Sequence, residues 1–378
     1  MYYTMSVITS HVMTSWSEIK TLQTDWNPLL EQSDADNIFL TWEWMESWKD
    51  TCFADTKLLF IVLKENNKPI AIAPFYIQPY QLLKTLTYQV LRFAGDQGIG
   101  SEYSNFIVRK QDSVNLKQQL WQTLLAKQTS SHWDLIWYTN VSSWTTGGQS
   151  LITSLQQTPE LRLASREVDF ANTSLKSLSL SLLPELSKSL RTNIKQTQGY
   201  LSKLGEWQVS YCEDPVLLNK SLQQLFELHN LRWQRTGLKG SFQRRPEMAT
   251  FYQDFTRKAL HKGWLRLAEL TCDDKTQAVQ IGYVYRGQFF ALQEGFNPDF
   301  QKGTGQVLRY HVMQRCIQEG LTDYDFLGQY TNHKRRWLAK QRNGQHLLIW
   351  PNKLKNTLFN FFTIWPTGKY LKPVRLNK

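Results

Sequence analysis

The sequence has little of what marks an exported, membrane-spanning or disulfide-stabilised protein. Its 378 residues include only four cysteines, which stand far apart and without the spacing of metal ligands: Cys52, Cys212, Cys272 and Cys316. No apolar run approaches the roughly 20 residues that a membrane span needs. The first 20 residues also lack the basic and apolar regions of a cleavable leader. Two disulfides are possible in principle, but we expect reduced thiols, no metal and a cytoplasmic protein.

Fixed-period repeats and low-complexity blocks are also missing, which excludes solenoid and collagen-like folds. The chain does have 41% hydrophobic residues and 15 tryptophans, enough for well-packed cores. Its length is about twice that of a common domain. We predict two domains, residues 1–173 and 174–378, separated between a glycine-containing segment around Gly147 and a Ser/Leu-rich stretch over residues 174–183.

Charge is distributed unevenly between these two halves. Residues 1–173 contain 13 basic and 17 acidic side chains, whereas residues 174–378 contain 31 and 15, a net charge of +16. The last acidic residue is Asp325, and 11 lysines and arginines follow from Lys334 onward. Such an asymmetry suggests a polyanionic partner for the second half, namely nucleic acid, an anionic membrane surface or a phosphate-rich cofactor. A basic, solvated surface is the alternative.

Hydrophobic periodicity and turn residues predict mixed helices and strands in both halves. In the first half we predict helices over residues 16–30, 41–50 and 116–128, and strands over 58–64, 69–77, 90–93, 105–108 and 133–138. In the second half we predict helices over residues 185–204, 216–235, 246–262 and 304–319, and strands over 207–212, 264–271, 278–285, 288–295 and 324–327. This order predicts a mixed α/β fold.

The most informative stretch is a glycine-containing loop that opens the helix at residue 304. Gly303 and Gly305 allow backbone N–H groups to approach an anion closely, and the helix start adds partial positive charge. Lys302 and Arg309 could contribute direct charge. The same stretch contains Gln301, Thr304 and Gln306. We predict that this loop binds a diphosphate; a simple turn and helix cap is the alternative.

Several motifs resemble one branch of a known superfamily. They include Phe39-Leu-Thr-Trp-Glu-Trp44, Ser187-Lys-Ser-Leu-Arg-Thr-Asn193, Gly263-Trp-Leu-Arg-Leu267 and Gly295-Phe-Asn-Pro298. The most specific is Gly320-Leu-Thr-Asp-Tyr-Asp-Phe-Leu-Gly328, followed by Lys334-Arg-Arg-Trp337. Together with the element order, they resemble the GNAT acyltransferase superfamily, and within it the BioF2-like or cellulose-biosynthesis-type (CelD-like) acetyltransferases, whose architecture is two-lobed and FemABX-like.

The resemblance implies tandem GNAT-type folds, each a splayed mixed sheet flanked by helices, with the first domain degenerate. It implies acetyl-CoA, or another acyl-CoA, as cosubstrate, with its pyrophosphate on the glycine loop. The acyl group would pass directly to an amine of a small molecule or a glycan precursor, such as an amino sugar. The chain departs from the family at Phe300, where Gln or Arg is usual, and at His333-Lys334, where Tyr-Lys is usual.

The same resemblance suggests catalytic roles. Glu294 would lie on the strand that faces the thioester and act as the base that deprotonates the amine. Asp325, on the neighbouring strand, is a second carboxylate that could instead orient the loop or pair with Lys334. Tyr330 and His333 would follow that strand, where an acid could protonate the departing thiolate. The alternatives are a solvated carboxylate for Glu294 and an exposed loop residue for His333.

Two further regions could contact ligands. His229 and Arg232 lie three residues apart, on one face of a predicted helix, and could contact the acceptor or simply face solvent. Lys334 is a third residue that we predict to contact the substrate. We assign Trp233, Trp264 and Trp337 to core packing. The last 29 residues mix six aromatic side chains with five lysines and one arginine; the aromatic ones are Trp350, Phe359, Phe361, Phe362, Trp365 and Tyr370. This segment suits an anionic membrane surface, or a terminal strand or helix docked on the catalytic lobe.

Two other functions remain open from the sequence. FemABX-like transferases use aminoacyl-tRNA and extend a peptidoglycan precursor, and the basic second half would tolerate RNA. A non-catalytic scaffold of a polysaccharide-synthesis assembly, with degenerate sites, is the third possibility. Salt dependence separates an RNA donor from coenzyme A, and a thermal shift with acetyl-CoA separates an enzyme from a scaffold.

Overall fold

A computed structural model describes residues 7–52, 56–82, 86–96, 99–353, 356 and 371–373 of the chain. The chain forms two compact units. Unit 1 comprises Met1–Gln97, Ser101–Val168 and Asn343–Lys378, and unit 2 comprises Gly98–Gly100 and Asp169–Arg342. The chain therefore enters unit 2 and later returns to unit 1, whereas the sequence predicts a single boundary at residue 173.

Unit 1 contains six helices in its described residues: α1 (Trp16–Lys20), α2 (Gln23–Glu31), α3 (Trp42–Thr51), α4 (Ser113–Leu125), α5 (Lys127–Ser130) and α6 (Thr146–Gln156). Its strands are β1 (Ile8–Met13), β2 (Lys57–Glu65), β3 (Lys68–Leu82), β4 (Leu86–Phe93), β5 (Ile107–Val108), β6 (Leu135–Ser142) and the beginning of β7 (Leu161–Ser174).

Unit 2 begins within β7 and continues with α7 (Lys188–Leu204), β8 (Trp207–Tyr211), α8 (Leu218–Gln234), α9 (Ser241–Arg244), α10 (Pro246–His261), β9 (Leu265–Cys272), β10 (Lys275–Tyr285), β11 (Gln288–Phe296), α11 (Thr304–Gln318), β12 (Asp323–Gly328) and α12 (Asn332–Arg335). The chain returns to unit 1 within β13 (Lys340–Pro351), and β14 (Leu371–Pro373) follows.

The sheets of the two units have the same plan. In unit 1, β1, β2, β3 and β4 are antiparallel neighbours, β4 is parallel to β6, and β6 is antiparallel to β13. In unit 2, β8, β9, β10 and β11 are antiparallel neighbours, β11 is parallel to β12, and β12 is antiparallel to β7. Each unit is a mixed sheet flanked by helices, which confirms the predicted fold class.

Three tight hairpins show how local sequence sets this order. Their two central residues all have positive φ: Asn66 and Asn67, Asp273 and Asp274, and Arg286 and Gly287. Asn, Asp and Gly tolerate this left-handed region best, and paired left-handed residues match the right-handed twist of the flanking strands. The predicted strand pairs around these turns are confirmed.

Helices cover both faces of the unit 2 sheet. On one face, the apolar stripe of α7 packs with α11 in a core that includes Leu190, Ile194 and Val307. On the other face, α10 places Phe255 against Tyr283 of β10, with ring centroids 4.9 Å apart. These two layers bury β10 and β11 between them, which fixes the strand that carries Glu294.

Unit 1 holds a buried ion pair at the start of α6. Lys117 Nζ donates to Asp34 Oδ2 at 2.9 Å, and both side chains are nearly excluded from solvent. Ser113 and Ser150 also donate to this carboxylate. The network satisfies each charged group locally, as a buried charge requires.

Some sequence-based expectations are wrong. Gly147 and Gly148 do not interrupt the chain but lie in the first turn of α6. Glycine is needed at both positions because a Cβ would clash with the backbone oxygens of Asp34 and Ser142. No strand is predicted from the sequence at β7 or β13. Both are long strands, and they pair with β12 and β6, which are remote in the sequence. The predicted aromatic tail lies almost entirely outside the described residues; β14 pairs with β3 of unit 1.

Candidate active site

The parallel strands β11 and β12 separate soon after they pair. Their register joins Gln288 to Asp323, Phe289 to Tyr324 and Phe290 to Asp325, and no further ladder pair between them is present in the described structure. β11 also bulges at Leu292, which is left out of its register with β10. A bulge bends and twists a strand locally. Between β11 and β12 there is therefore an opening, called the strand gap below.

The glycine loop, residues 296–305, ends with backbone N–H groups that have no acceptor in the described part of the chain. Thr304 N donates to Gln301 O at 3.3 Å, and Gln306 N and Val307 N donate to Gly303 O. The N–H groups of Lys302, Gly303 and Gly305 donate to no acceptor within the described part of the chain. Helix starts leave such donors for anions or solvent. The arrangement can accept an anion.

Glycine is required at position 303 for two reasons. Its φ of +96° is left-handed, and a Cβ would lie 2.6 Å from Thr197 Oγ1 on α7. Thr197 Oγ1 also donates to Lys302 O at 3.4 Å, so α7 supports the loop. Gly305 is different: its nearest neighbour would be the ring of Phe296, at 3.2 Å.

The other loop residues have distinct positions. Thr304 is buried and its hydroxyl donates to Gln301 O at 2.6 Å, which closes the turn before α11. Lys302 is exposed, and Gln306 is half-buried. Lys302 is therefore placed to meet an anion from solvent, whereas Thr304 stabilises the loop.

Glu294 lies beyond the part of β11 that pairs with β12, and two arginines hold its carboxylate. Arg232 Nη1 of α8 donates to Glu294 Oε1 at 3.1 Å, and Arg309 Nη2 of α11 donates to Glu294 Oε2. The Glu294 side chain is 27% exposed and that of Arg309 only 8%. His333, on α12, contacts Arg309 Nη1 through Nε2 at 3.1 Å. Four residues singled out in the sequence therefore form one cluster.

The charges in this cluster set its protonation states. Burial opposes ionisation of Glu294, but Arg309 and Arg232 outweigh it and lower the pKa of Glu294 to about 2. Partial burial and the charge of Arg309 lower the pKa of His333 to about 4. At neutral pH the carboxylate is charged and the imidazole is neutral. Glu294 is a weak proton acceptor as long as both arginines hold it.

Arg309 is fixed from several sides. Its guanidinium lies 5.8 Å from the ring centroid of Phe326 and 5.6 Å from that of Trp337. Burial lowers and Glu294 raises the pKa of Arg309, and the net change is upward. Arg309 was predicted to bind the cofactor; in this structure its guanidinium is directed to Glu294.

His229 and Arg232 share a helix but not an environment. His229 is only 3% exposed, so the solvent-facing alternative is wrong for it. Trp233 Nε1 donates to His229 Nε2 at 3.2 Å, and burial together with Arg232 lowers the pKa of His229 to about 4. α8 can approach β11 closely because Gly295 lacks a side chain: a Cβ there would lie 2.5 Å from His229 N.

The end of β12 is shaped by Asp325 and Lys334. Asp325 is buried, and its Oδ1 accepts from Leu327 N at 2.8 Å, where the chain turns with φ of +59°. Lys334 Nζ donates to Phe326 O at 2.8 Å and also to the carbonyls of Leu327 and Gly328. Tyr330 is half-buried, with its N–H on Asp169 Oδ2. Asp325 thus organises the turn.

Some contributors were not predicted. Gln280 Nε2 of β10 donates to Tyr324 Oη of β12 at 2.6 Å, next to the strand gap, and Thr197 supports the glycine loop. Both are ordinary polar residues in sequence, and only the sheet brings them here. Trp337 is buried in the core as expected, whereas Trp233 is half-buried and bonded to His229.

Comparisons with known proteins agree with this geometry. Residues 188–335 match the family model of the Acetyltransferase (GNAT) domain. The structure is similar to a crystal structure of FemX, with a TM-score of 0.63, 11% identity and coverage of 94% of this chain and 100% of that one. It is also similar to L-PGS from Bacillus licheniformis, with a TM-score of 0.53, 12% identity and coverage of 89% and 93%.

A third similar structure is the C-terminal domain of a putative lysylphosphatidylglycerol synthetase from Agrobacterium fabrum, with a TM-score of 0.50, 13% identity and coverage of 84% and 94%. A search of curated protein sequences gives no significant match. At these identities the structural similarities show the fold. Helices of the described residues are all too short or too polar to cross a bilayer.

The fold is that of the GNAT superfamily in its two-lobed, FemABX-like form. Residues 188–335, which carry the glycine loop and the strand gap, match a GNAT acetyltransferase domain, so an acyltransferase domain lies in unit 2. The narrower BioF2-like or CelD-like branch stays a prediction.

Proposed function

We propose that unit 2 transfers an acyl group from an acyl-coenzyme A thioester, with acetyl-CoA the simplest, to an amine. The observation that carries this proposal is that the N–H groups of Lys302, Gly303 and Gly305 have no acceptor among the described residues and lie beside a gap between parallel strands. A diphosphate at a helix start is stabilised by such donors and by the helix dipole. Lys302 is exposed at the same position and adds a positive charge.

The chain's own residues would assist the transfer as follows. The amine must lose a proton to attack the thioester carbonyl, and Glu294 is a carboxylate of β11 just beyond its pairing with β12. Tyr330 and His333 follow β12, where an acid could protonate the departing thiolate. His333 is neutral at neutral pH and therefore a poor acid, so Tyr330 is the candidate for that role. Lys334 and Asp325 hold the turn that positions both residues. His229 and Arg232 form the α8 side of the site, where we place the acceptor, a small molecule or a glycan precursor.

Calorimetric titration of the full chain with acetyl-CoA tests the donor. Specific binding that is competed by coenzyme A, and that survives moderate salt, supports the proposal. Absence of binding at millimolar acetyl-CoA would refute the donor assignment and favour the non-catalytic scaffold. Acyl transfer is then measured with a panel of amines, amino sugars included, by release of the free thiol.

A second donor is favoured by one specific observation, the net charge of +16 over residues 174–378. An aminoacyl-tRNA would bring many phosphates to this surface, and its binding would fall steeply with salt because counterions are released. Coenzyme A has few phosphates and should respond much less. A filter-binding assay with bulk aminoacylated tRNA at about 50 and 200 mM salt separates the two donors; loss of 10³-fold or more marks an RNA donor.

A further inference from the structure

Glu294 lies beside the strand gap and contacts helices on both faces of the sheet. It lies four residues beyond Phe290, the last residue of β11 that pairs with β12. Its neighbour Gly295 faces α8, which packs on one side of the sheet, whereas α11 packs on the other side with α7. Glu294 nevertheless contacts a side chain from each of these helices. The carboxylate therefore joins the two helical layers next to the strand gap.

The contacts on each side of this carboxylate are charged. Arg232 of α8 is 35% exposed and holds Oε1, and Arg309 of α11 is buried and holds Oε2. Arg309 in turn contacts His333, which follows β12, and lies over the rings of Phe326 and Trp337. Residues from β11, α8, α11, β12 and α12 are thus connected by one set of contacts around the gap. Such a network resists separation of its elements until its ion pairs break.

We propose that Glu294, Arg232 and Arg309 form a latch that closes the strand gap until the donor opens it. This inference rests on the proposed function, in which the acyl-bearing arm of the donor enters between β11 and β12. Entry requires Glu294 to leave at least one arginine. Binding energy gained at the glycine loop, one helical turn before Arg309 on α11, would offset the broken pair.

The latch has a consequence for catalysis. The two arginines keep the carboxylate a weak base, so it regains ordinary basicity when they are released. Donor entry would therefore activate Glu294 at the moment the thioester reaches it. Without the donor, the latch stays closed and Glu294 remains a weak base.

Hydrogen–deuterium exchange without any ligand tests the latch directly. Glu294→Gln keeps the shape and removes the charge, so amides in residues 304–311 and 323–328 should exchange at least about fivefold faster than in the wild type. Glu319→Gln is the matched control, because Glu319 also pairs with two arginines, Arg266 and Arg315, at the far end of α11. Unchanged exchange in Glu294→Gln, or equal acceleration in both variants, would overturn the latch.

Arg232→Gln provides an independent second variant. It removes the half-exposed arm of the latch and leaves the buried Arg309 in place, so a folded protein is expected even if Glu294→Gln is unstable. Exchange should accelerate in the same segments by a smaller factor. If Arg232→Gln accelerates exchange only within α8, the two layers are not coupled through Glu294 and the inference fails.

Titration with coenzyme A completes the test. Removing the latch should tighten binding by about tenfold in Glu294→Gln, which is about 1.4 kcal/mol, and leave Glu319→Gln unchanged. Equal or weaker binding in Glu294→Gln contradicts the latch while the proposed donor stands. If no variant binds coenzyme A, the proposed function fails, and the exchange experiment alone decides whether the ion pairs close the gap.

Discussion

Substitution of Gly305 by valine gives the sharpest test of the diphosphate site. Gly305 lies in the first turn of α11, and its N–H is one of the three in the loop without an acceptor among the described residues. The nearest atoms to a Cβ at this position belong to Phe296, at 3.2 Å, and the backbone has no left-handed φ. The fold should therefore tolerate the change after a small ring movement. The branched side chain, however, would cover the donor and hold an anion away from the loop.

The expected loss can be estimated from the hydrogen bonds involved. A hydrogen bond to a charged group contributes about 1.5–3 kcal/mol. Losing one or two such bonds should weaken donor binding by about 2.8 kcal/mol, a hundredfold increase in Kd. At a donor concentration of 100 times the wild-type Kd, binding stabilises the wild type by about 2.7 kcal/mol. The same concentration would stabilise Gly305→Val by only about 0.4 kcal/mol.

Differential scanning calorimetry with and without acetyl-CoA measures this difference. For units of this size the wild type should gain about 5–10 °C in Tm and the variant about 1 °C. Gly199→Val is the matched control, because Gly199 lies on α7 and its added Cβ meets no atom within 4 Å. Equal shifts in all three proteins would refute the diphosphate assignment. Gly303→Val is less suitable, since its φ of +96° and Thr197 predict damage to the fold itself.

Three more predictions follow from the side chains described above. Glu294→Gln should lower turnover strongly, although it does not weaken donor binding, if this carboxylate is the base; unchanged turnover in a steady-state assay would remove it from the reaction. Lys117→Met should destabilise unit 1 by about 3–5 kcal/mol in urea unfolding, because Asp34 would stay buried without its cation. Adding Asp34→Asn to the same chain should recover part of this loss. A loss under about 1 kcal/mol for Lys117→Met would show that the pair is dispensable. The pKa of His229 is about 4 in the folded state and ordinarily 6.5. The unfolded state therefore binds more protons between pH 4 and pH 6.5. The free energy of unfolding should fall by about 2–3 kcal/mol as the pH drops from above 6.5 to 4. His229→Gln, which retains an acceptor for Trp233, should flatten that part of the stability curve, and an unchanged slope would assign the effect to other groups.

Local sequence signals were sufficient for most of unit 2. Residue type alone indicates the left-handed turn at Asp273-Asp274, and at Arg286-Gly287 the glycine indicates it. The apolar spacing of α7 and α11 predicts their buried faces, and Gly303 marks the start of α11. These signals act within a few residues, so a single sequence carries them.

The candidate site was only partly accessible by the same means. Glu294, Arg309, His333 and Arg232 were each singled out, but for separate roles: base, diphosphate ligand, acid and acceptor contact. The structure brings them into one ion-pair cluster that lowers the pKa of Glu294 to about 2. No spacing in the chain encodes that Arg232 and Arg309, 77 positions apart in number, meet on one carboxylate.

The first unit shows where local reasoning fails. Gly147 and Gly148 look like an interruption, yet they lie in the first turn of a helix, where two backbone oxygens leave no room for a side chain. β7 and β13 pair with strands remote in sequence, and their pattern is not informative without those partners.

The amino-acid sequence by itself determined the class of fold, the order of the second unit's elements and the glycine loop, because turn preferences, apolar periodicity and helix starts are local properties of a chain. Tertiary structure alone decided which charged groups meet, which amides stay without acceptors and where β11 parts from β12. Those outcomes depend on packing between residues that are remote in the sequence. The strength of each electrostatic interaction depends on the distance between the charges, and only the folded structure sets that distance.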